Sequence, residues 1–252
     1  MGEQVYSFLL IGQSNMAGRG FPHEVATIKN ENLYVLRNGR WVPMFTPIHW
    51  DRQMAGVCLA ESFGEECANA YRTKIGLIPC ADGGTCLEQW APGEVLFDHA
   101  VFQAKLAMRS SKLAGILWHQ GESDCAPERY PLYELKCTAI FRAFHKELKL
   151  SDDVPFLVGG LGDFLKKRYE SPNAANYPYV NAQLRQMAEH QPYIHFVSAE
   201  GLQSNKDNLH FNAESLREFG RRYFAVFQEQ NQIIPISENA GAALAFTEME
   251  KL

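Results

Sequence analysis

Four short polar segments carry the side chains with reactive chemistry in this 252-residue sequence, and each follows an apolar run: Gly12-Gln13-Ser14-Asn15-Met16-Ala17-Gly18-Arg19-Gly20, Ala81-Asp82-Gly83-Gly84-Thr85-Cys86-Leu87-Glu88-Gln89-Trp90, Trp118-His119-Gln120-Gly121-Glu122-Ser123-Asp124 and Asn205-Lys206-Asp207-Asn208-Leu209-His210-Phe211-Asn212. A serine just past a buried strand can be an exposed nucleophile with backbone N–H groups beside it. It can equally do no more than cap the next helix. Paired glycines let a backbone N–H approach a ligand, which is half of an oxyanion site, although Gly-Gly alone is an ordinary turn. Gln120 can donate to a developing oxyanion without changing charge, while Glu122 and Asp124 can order the loop or touch substrate. Asp207 and His210 are three apart, so a turn can hold carboxylate and imidazole on one side, fixing the tautomer of a general base.

These segments need elements that bring them together. The apolar runs at Val5–Ile11, Ile75–Cys80, Ala114–Trp118, Pro155–Gly159 and Ile194–Ser198 are short and rich in Ile, Leu, Val and Phe, as strands buried on both faces are. An extra strand is a candidate at Leu33–Leu36. Amphipathic stretches at Gly56–Tyr71, Leu96–Ser111, Tyr130–Leu148, Tyr179–His190 and Ala213–Gln230 read as helices; in the last, Leu216, Phe219, Tyr223 and Phe227 share a face. Alternating strands and helices imply an α/β fold, a three-layer α/β/α sandwich on a mainly parallel sheet. The four segments then meet at the carboxyl edge of that sheet. Gly20–Pro47 and Asp163–Asn176 read as long loops near the rim. Residues 1–252 read as one domain, with 235–252 a peripheral C-terminal tail.

Composition narrows the chemistry further. With 24 Lys+Arg against 29 Asp+Glu the formal charge is −5, and no basic run exceeds Lys166-Lys167-Arg168, so nucleic acid is not an expected partner. No apolar stretch approaches the ~18 residues of a membrane span. No basic residue precedes the first apolar run, so an export signal is not expected and a cytoplasmic location is. The six cysteines show no CxxC and no Cys/His spacing for zinc, and they read as reduced thiols. No GxGxxG, Walker or HExxH pattern calls for a cofactor or metal. A nucleophile, a base, an acid to orient the base and oxyanion donors are the set that acyl transfer requires.

The same residues resemble the SGNH/GDSL hydrolases, and more narrowly the carbohydrate-esterase branch that contains sialate O-acetylesterases and acetylxylan esterases. The resemblance rests on Gly12-Gln13-Ser14-Asn15-Met16-Ala17-Gly18, on Gly83-Gly84-Thr85 with Trp90, on His119-Gln120-Gly121-Glu122-Ser123-Asp124 and on Asp207-Asn208-Leu209-His210. It implies a flavodoxin-like central sheet and a metal-free serine esterase, without cofactor, that removes acetyl groups from small saccharides. Ser14 matches the nucleophile, His210 the base and Asp207 its partner. Ser14 N–H, a glycine of the Gly83-Gly84 pair with Gly84 favoured, and Gln120 match the oxyanion donors. The GDSL element reads Gly-Gln-Ser-Asn here, and Gln120 stands where the wider superfamily has Asn; both fit the carbohydrate branch.

Gln13, Asn15, Gly83, Trp90, Glu122 and Arg19 are candidate substrate or site-loop residues, and Arg19 and Arg52 are candidates to clamp a sialate carboxylate in bidentate fashion. The rival readings are a short-chain lipolytic esterase or thioesterase and a non-catalytic sugar-binding protein, for which Trp50, Trp90 and Trp118 are the candidate stacking platforms. The identity of the sugar and the oligomeric state stay open.

Overall fold

The computed structural model describes residues 4–235. Its first strand, β1 (Val5–Gly12), is buried over its last six residues, as an apolar run at the centre of a sheet must be. The remaining strands are β2 (Leu33–Arg37), β3 (Arg40–Pro43), β4 (Lys74–Pro79), β5 (Lys112–His119), β6 (Phe156–Gly159) and β7 (Ile194–Val197), and the helices are α1 (Ser14–Ala17), α2 (Leu59–Tyr71), α3 (Val95–Ala107), α4 (Tyr133–Leu148), α5 (Tyr177–His190) and α6 (Ala213–Gln230). They form one sheet in the order β3-β2-β4-β1-β5-β6-β7. Every neighbouring pair is parallel except β2 with β3. The fold class expected from the sequence is the one observed: an α/β protein with a mostly parallel sheet flanked by helices. The five strands β4-β1-β5-β6-β7 run in the flavodoxin-like order 2-1-3-4-5.

All five expected strands and the extra strand are present. Their ends shift by up to two residues, and β3, its partner, is the element that the sequence reading omitted. Arg37 pairs with Arg40 across a two-residue turn, Asn38-Gly39, whose φ angles of 48° and 72° suit a tight hairpin. Its signal was in the sequence, since Asn-Gly between apolar runs marks such turns. The helix expected from Gly56 starts at Leu59 because Val57 is still extended and bridges Gly20. Glu61 then accepts the Cys58 N–H in a capping box. The rim segment expected at Asp163–Asn176 holds two short 3-10 turns, Asp163–Lys167 and Pro172–Asn176. Residues 236–252, most of the expected tail, lie outside the described residues. No helix among the described residues is long and apolar enough to cross a membrane.

Alternate side chains of the strands feed two helical layers. On one side α2 packs on α6, and on the other α4 lies between α3 and α5. Phe8 of β1 meets Phe63 of α2 and Phe227 of α6 edge to face, at centroid distances of 4.8 and 5.0 Å. At the end of β5, Trp118 meets Phe141 of α4 while the next residue, His119, meets Phe219 of α6. Fully burying each such ring contributes roughly 1.5–3 kcal/mol, so this core holds the strand ends in place.

The α2–α6 contact is tight because Gly220 lets the helices touch. A Cβ there would stand 2.1 Å from the Leu59 carbonyl oxygen and 2.1 Å from Ser62 Oγ. Gly220→Ala is expected to lower stability by about 1–3 kcal/mol through overpacking, read as a fall in the denaturant midpoint with little change in slope. An unchanged midpoint would mean that the helices separate there without cost.

Candidate active site

The carboxyl end of β1 is pinned on both sides: Gln13 N–H donates to His119 O at 2.9 Å, and Asp82 N–H donates to Gly12 O at 3.1 Å. The crevice between β1 and β5 is also where the strand order reverses, which is where open α/β sheets bind ligands. The chain leaves β1 through Gly12, whose φ is +129° and whose Cβ would meet the His119 carbonyl at 2.1 Å, so only glycine fits. It then makes the single turn α1, of which Ser14 is the first residue and Gln13 the cap.

Ser14 does not cap this turn with its side chain. Its Oγ lies 3.0 Å from His210 Nε2, and His210 Nδ1 lies 2.6 Å from Asp207 Oδ2. Asp207 Oδ1 accepts the backbone N–H groups of Leu209 and His210, at 2.9 and 3.0 Å. Burial alone would raise the Asp207 carboxyl, but the hydrogen bonds from the His210 ring and these two N–H groups hold it down to about 2. An ionised carboxylate only accepts, so Nδ1 carries the proton and Nε2 presents its lone pair to the serine hydroxyl.

The His210 segment starts from β7 at the edge of the sheet and has to cross to β1. Ser204 bridges Phe211 and Asn205 N–H donates to His210 O at 2.7 Å, which closes a small hairpin around Asp207. Asn15 fastens that hairpin to α1. Its Nδ2 donates to Leu209 O at 3.1 Å and to Glu122 Oε1, and its Oδ1 accepts Phe211 N–H at 3.1 Å. Asn15 is therefore a positioning residue whose amide is fully used within the protein. Glu122 Oε2 is buried with no partner among the described residues.

Two backbone donors stand free at this edge. Among the described residues neither Ser14 N–H nor Gly84 N–H has a hydrogen-bond partner, whereas Gly83 N–H donates to Asp51 Oδ2 at 2.9 Å. Gly84 has φ +80° and nothing within 4 Å of an added Cβ, so conformation rather than crowding asks for glycine there.

Gln120 corrects the expectation from sequence. It is fully buried, and its Nε2 protons go to Thr85 O at 3.1 Å and to Asp124 Oδ2, while its Oε1 accepts from Tyr133 OH. It knits the β4 and β5 loops and has no proton left for a ligand. Gln13 is placed differently. Its Oε1 accepts Gly121 N–H and Ser123 N–H, at 3.3 and 3.5 Å, and donors facing that atom identify it as the oxygen. Its Nε2 has no partner among the described residues, and the side chain lines the same pocket of about 500 Å³ as Ser14, Gly84 and His210.

The remaining candidates also sort themselves by what they touch. Trp90 is fully buried against Trp118 and donates to Thr85 Oγ1, so it is core and not a sugar platform. Trp118 is likewise core, while Trp50 is 71% exposed beneath the Arg37 guanidinium and does not line the pocket that holds Ser14. Arg19 and Arg52 do line it, but Arg19 is bound by Asp51 at 2.6 Å and Arg52 by Asp82 at 2.9 Å. Sequence reasoning missed Asp51, which neutralises Arg19 and orders Gly83 together, and Arg168, a third pocket guanidinium. Among the described residues no group of three or more His, Cys, Asp or Glu side chains is arranged to hold a metal ion. The six cysteines are unpaired.

Residues 4–229 match the family model described as carbohydrate esterase, sialic acid-specific acetylesterase. The chain belongs to this family. A probable carbohydrate esterase of Arabidopsis thaliana is 27% identical over 241 residues, covering 84% of this chain and 86% of the plant protein. The solved structure of that plant protein superposes with a TM-score of 0.79 at 23% identity, over 90% of this chain and 98% of the other. A carbohydrate acetylesterase from Xanthomonas citri superposes with a TM-score of 0.65 at 15% identity, over 90% of this chain and 56% of that one. The sheet and its helical layers are those of the SGNH hydrolase fold.

Asp124, at the centre of the Gln120 network, carries a pH signature. Burial raises its carboxyl from 3.8 to about 6 against the hydrogen bonds from Gln120 and Leu87 N–H. The folded protein therefore holds this proton more tightly than the unfolded chain. The stability that it contributes is full below about pH 4 and is lost as pH rises through about 6. The melting temperature of the wild type minus that of Asp124→Asn is expected to fall between pH 4 and 6.5. A constant difference would place the Asp124 titration elsewhere.

Proposed function

We propose that this chain is a serine esterase that removes O-acetyl groups from carbohydrates through an acyl-enzyme. The observation that carries the proposal is the chain of contacts from Ser14 Oγ to His210 Nε2 at 3.0 Å and from His210 Nδ1 to Asp207 Oδ2 at 2.6 Å. His210 takes the Ser14 proton as Oγ attacks the acetyl carbonyl, and the Asp207 carboxylate stabilises the imidazolium that forms. His210 then protonates the leaving sugar oxygen. Water, deprotonated by the same imidazole, releases acetate and restores Ser14.

The oxyanion is held by Ser14 N–H, Gly84 N–H and the Gln13 side-chain amide. All three sit on the pocket side of the β1 and β4 loops, and none is engaged by another described residue. Their donors are held by backbone turns and by the Gln13 Oε1 contacts, so little reorganisation is needed as charge develops. The reading routes no step through a metal ion, because the chain's own groups supply both the proton transfers and the charge stabilisation. Acetylated saccharide is the substrate class that membership of the family supports.

Ser14→Ala is expected to abolish hydrolysis of p-nitrophenyl acetate and of acetylated sugars, and a serine-reactive phosphonate to add one label, at Ser14. Full turnover by a folded Ser14→Ala protein would refute the mechanism. Gln13→Met keeps the volume and loses the donor, so kcat is expected to fall about 10²–10³-fold, with a separate stability cost of about 1–3 kcal/mol because the Gly121 and Ser123 N–H groups lose their acceptor. Gln120→Ala removes the side-chain donor of Thr85 O and one of the donors of Asp124 Oδ2 and leaves a cavity beside them, so it is expected to cost stability of about 1–3 kcal/mol. Should Gln120→Ala stop chemistry in a fully stable protein while Gln13→Met does not, the two roles are reversed.

A further inference from the structure

Trp50 is a candidate from the sequence that the esterase reading leaves unused. It is 71% exposed, yet its ring is held in place. Trp50 Nε1 donates to Pro47 O at 3.3 Å, and the Arg37 guanidinium lies over the ring, 4.7 Å from its centroid. Arg37 is fixed in turn by the Pro47 and Ile48 carbonyls, to which its Nη2 donates, and by the Phe45 ring at 5.4 Å. The guanidinium occupies one face of the indole and leaves the other to solvent. Keeping that much apolar surface wet is unfavourable, and burying it under a ligand recovers the free energy. Because the ring is already ordered, little entropy is lost when a ligand docks.

The indole stands at a cleft of about 210 Å³ that Arg37, His49, Asp51, Asp82 and His99 also line. That is below the ~300 Å³ at which drug-sized sites begin, so it suits one sugar ring. Asp82 holds Arg52 through Oδ1 at 2.9 Å, and its Oδ2 accepts from no described residue. His99, exposed on α3, has no hydrogen-bond partner among the described residues, and neither has Arg37 Nε. His49 is 2% exposed; burial pushes it down to about 3 against the pull of Asp51, so its imidazole is neutral. The lining thus mixes charges of both signs, which favours a ligand rich in hydroxyls and without charge of its own. The cleft shares a wall with the pocket that holds Ser14. Asp51 and Asp82 line the cleft, while their partners Arg19, Gly83 and Arg52 line the pocket.

We infer that the Trp50 cleft is a second saccharide subsite, which takes a neutral pyranose unit of the glycan whose acetylated unit lies beside Ser14. This rests on the esterase reading above and makes an oligosaccharide, rather than a single sugar, the preferred substrate. The C–H face of a pyranose is apolar and slightly positive, and it stacks on the negative face of an indole. The ring hydroxyls then meet the Asp82 carboxylate and the His99 imidazole, whose remaining hydrogen-bonding capacity no described residue uses. Pentopyranose and N-acetylhexosamine units share this chemistry and are the two sources to be told apart.

The binding arm titrates the full chain with xylotetraose and with N-acetylchitotetraose, neither of which carries an O-acetyl ester. At least one is expected to bind by calorimetry and to shield tryptophan emission from iodide, since Trp90 and Trp118 are fully buried and Trp50 is the most exposed indole. Trp50→Ala is expected to weaken that binding about 10-fold, Trp50→Phe to keep part of it, and His99→Ala to weaken it about 2–10-fold. Binding of both tetrasaccharides, each weakened by Trp50→Ala, assigns the cleft to the ring face that they share. Binding of neither, or a Trp50→Ala protein that binds as the wild type does, overturns the subsite. The kinetic arm compares an O-acetylated tetrasaccharide of the series that binds with its O-acetylated monosaccharide and with p-nitrophenyl acetate. For Trp50→Ala, kcat/KM on the tetrasaccharide is expected to fall about 10-fold, mostly through KM, while the other two change less than about twofold. Equal losses on all three substrates, or none on the tetrasaccharide in an active enzyme, overturn the link to Ser14. Trp50-dependent binding without any ester cleavage sustains the subsite and refutes only the esterase reading.

Discussion

One carboxamide joins the two halves of the site. Asn15 sits next to Ser14 in sequence, yet all of its hydrogen-bonding capacity is spent on Glu122 after β5 and on Leu209 and Phe211 after β7. The serine turn and the histidine hairpin follow strands at the centre and at the edge of the sheet, and the Asn15 amide adds to the Asn205 Nδ2 bond to Arg19 O, at 3.0 Å, in holding them together. Each individual hydrogen bond is worth only about 1 kcal/mol net, but here three of them act on one rigid group, so their effect is geometric: they set where the His210 ring stands relative to Ser14 Oγ.

The link can work because both of its ends are already stiff. The β1 end is paired on both sides by Gln13 N–H and Gly12 O, and the hairpin around Asp207 is closed by its own backbone bonds. Beneath them, Trp118 and His119 point into opposite helical layers, and their packing on Phe141 and Phe219 holds the end of β5. Dense packing tolerates little displacement, so the crevice inherits its dimensions from the aromatic core rather than from the loops. The charge pattern follows a similar economy. Arg19 and Arg52 are neutralised within their own wall, whereas Arg168 Nη1 is buried without a partner among the described residues.

Much of this was legible in the sequence. Apolar strands that end in clusters of polar side chains have few structural explanations, so the four segments stood out and their common edge followed from the parallel sheet. The Asp207-to-His210 spacing was readable because a three-residue turn is local. What failed was the orientation of single side chains. Gln120 and Gln13 are chemically identical amides, and which one keeps its Nε2 for the pocket depends on Thr85 O, Asp124 and the N–H groups of Gly121 and Ser123, all of them distant in the chain except for the near neighbours of Gln120. Trp90 misled for the same reason, since an indole near a rim looks alike whether it faces Trp118 or solvent. Asn38-Gly39 is the opposite case: its hairpin signal is local, carried by two adjacent residues suited to positive φ.

By itself, then, the sequence determined the periodicities that make strands and helices, the turn residues that end them, and the inventory of a nucleophile, a base and an acid at strand ends. These are properties of neighbouring residues, and short-range sterics and hydrogen bonding decide them. Tertiary structure alone decided the meeting of Ser14 with His210, which of the Gln13 and Gln120 amides is engaged inside the protein and which faces the pocket, and the neutralisation of two pocket arginines but not the third. Each of these depends on which distant donor or acceptor satisfies a group first, and that competition is resolved only when the chain is packed.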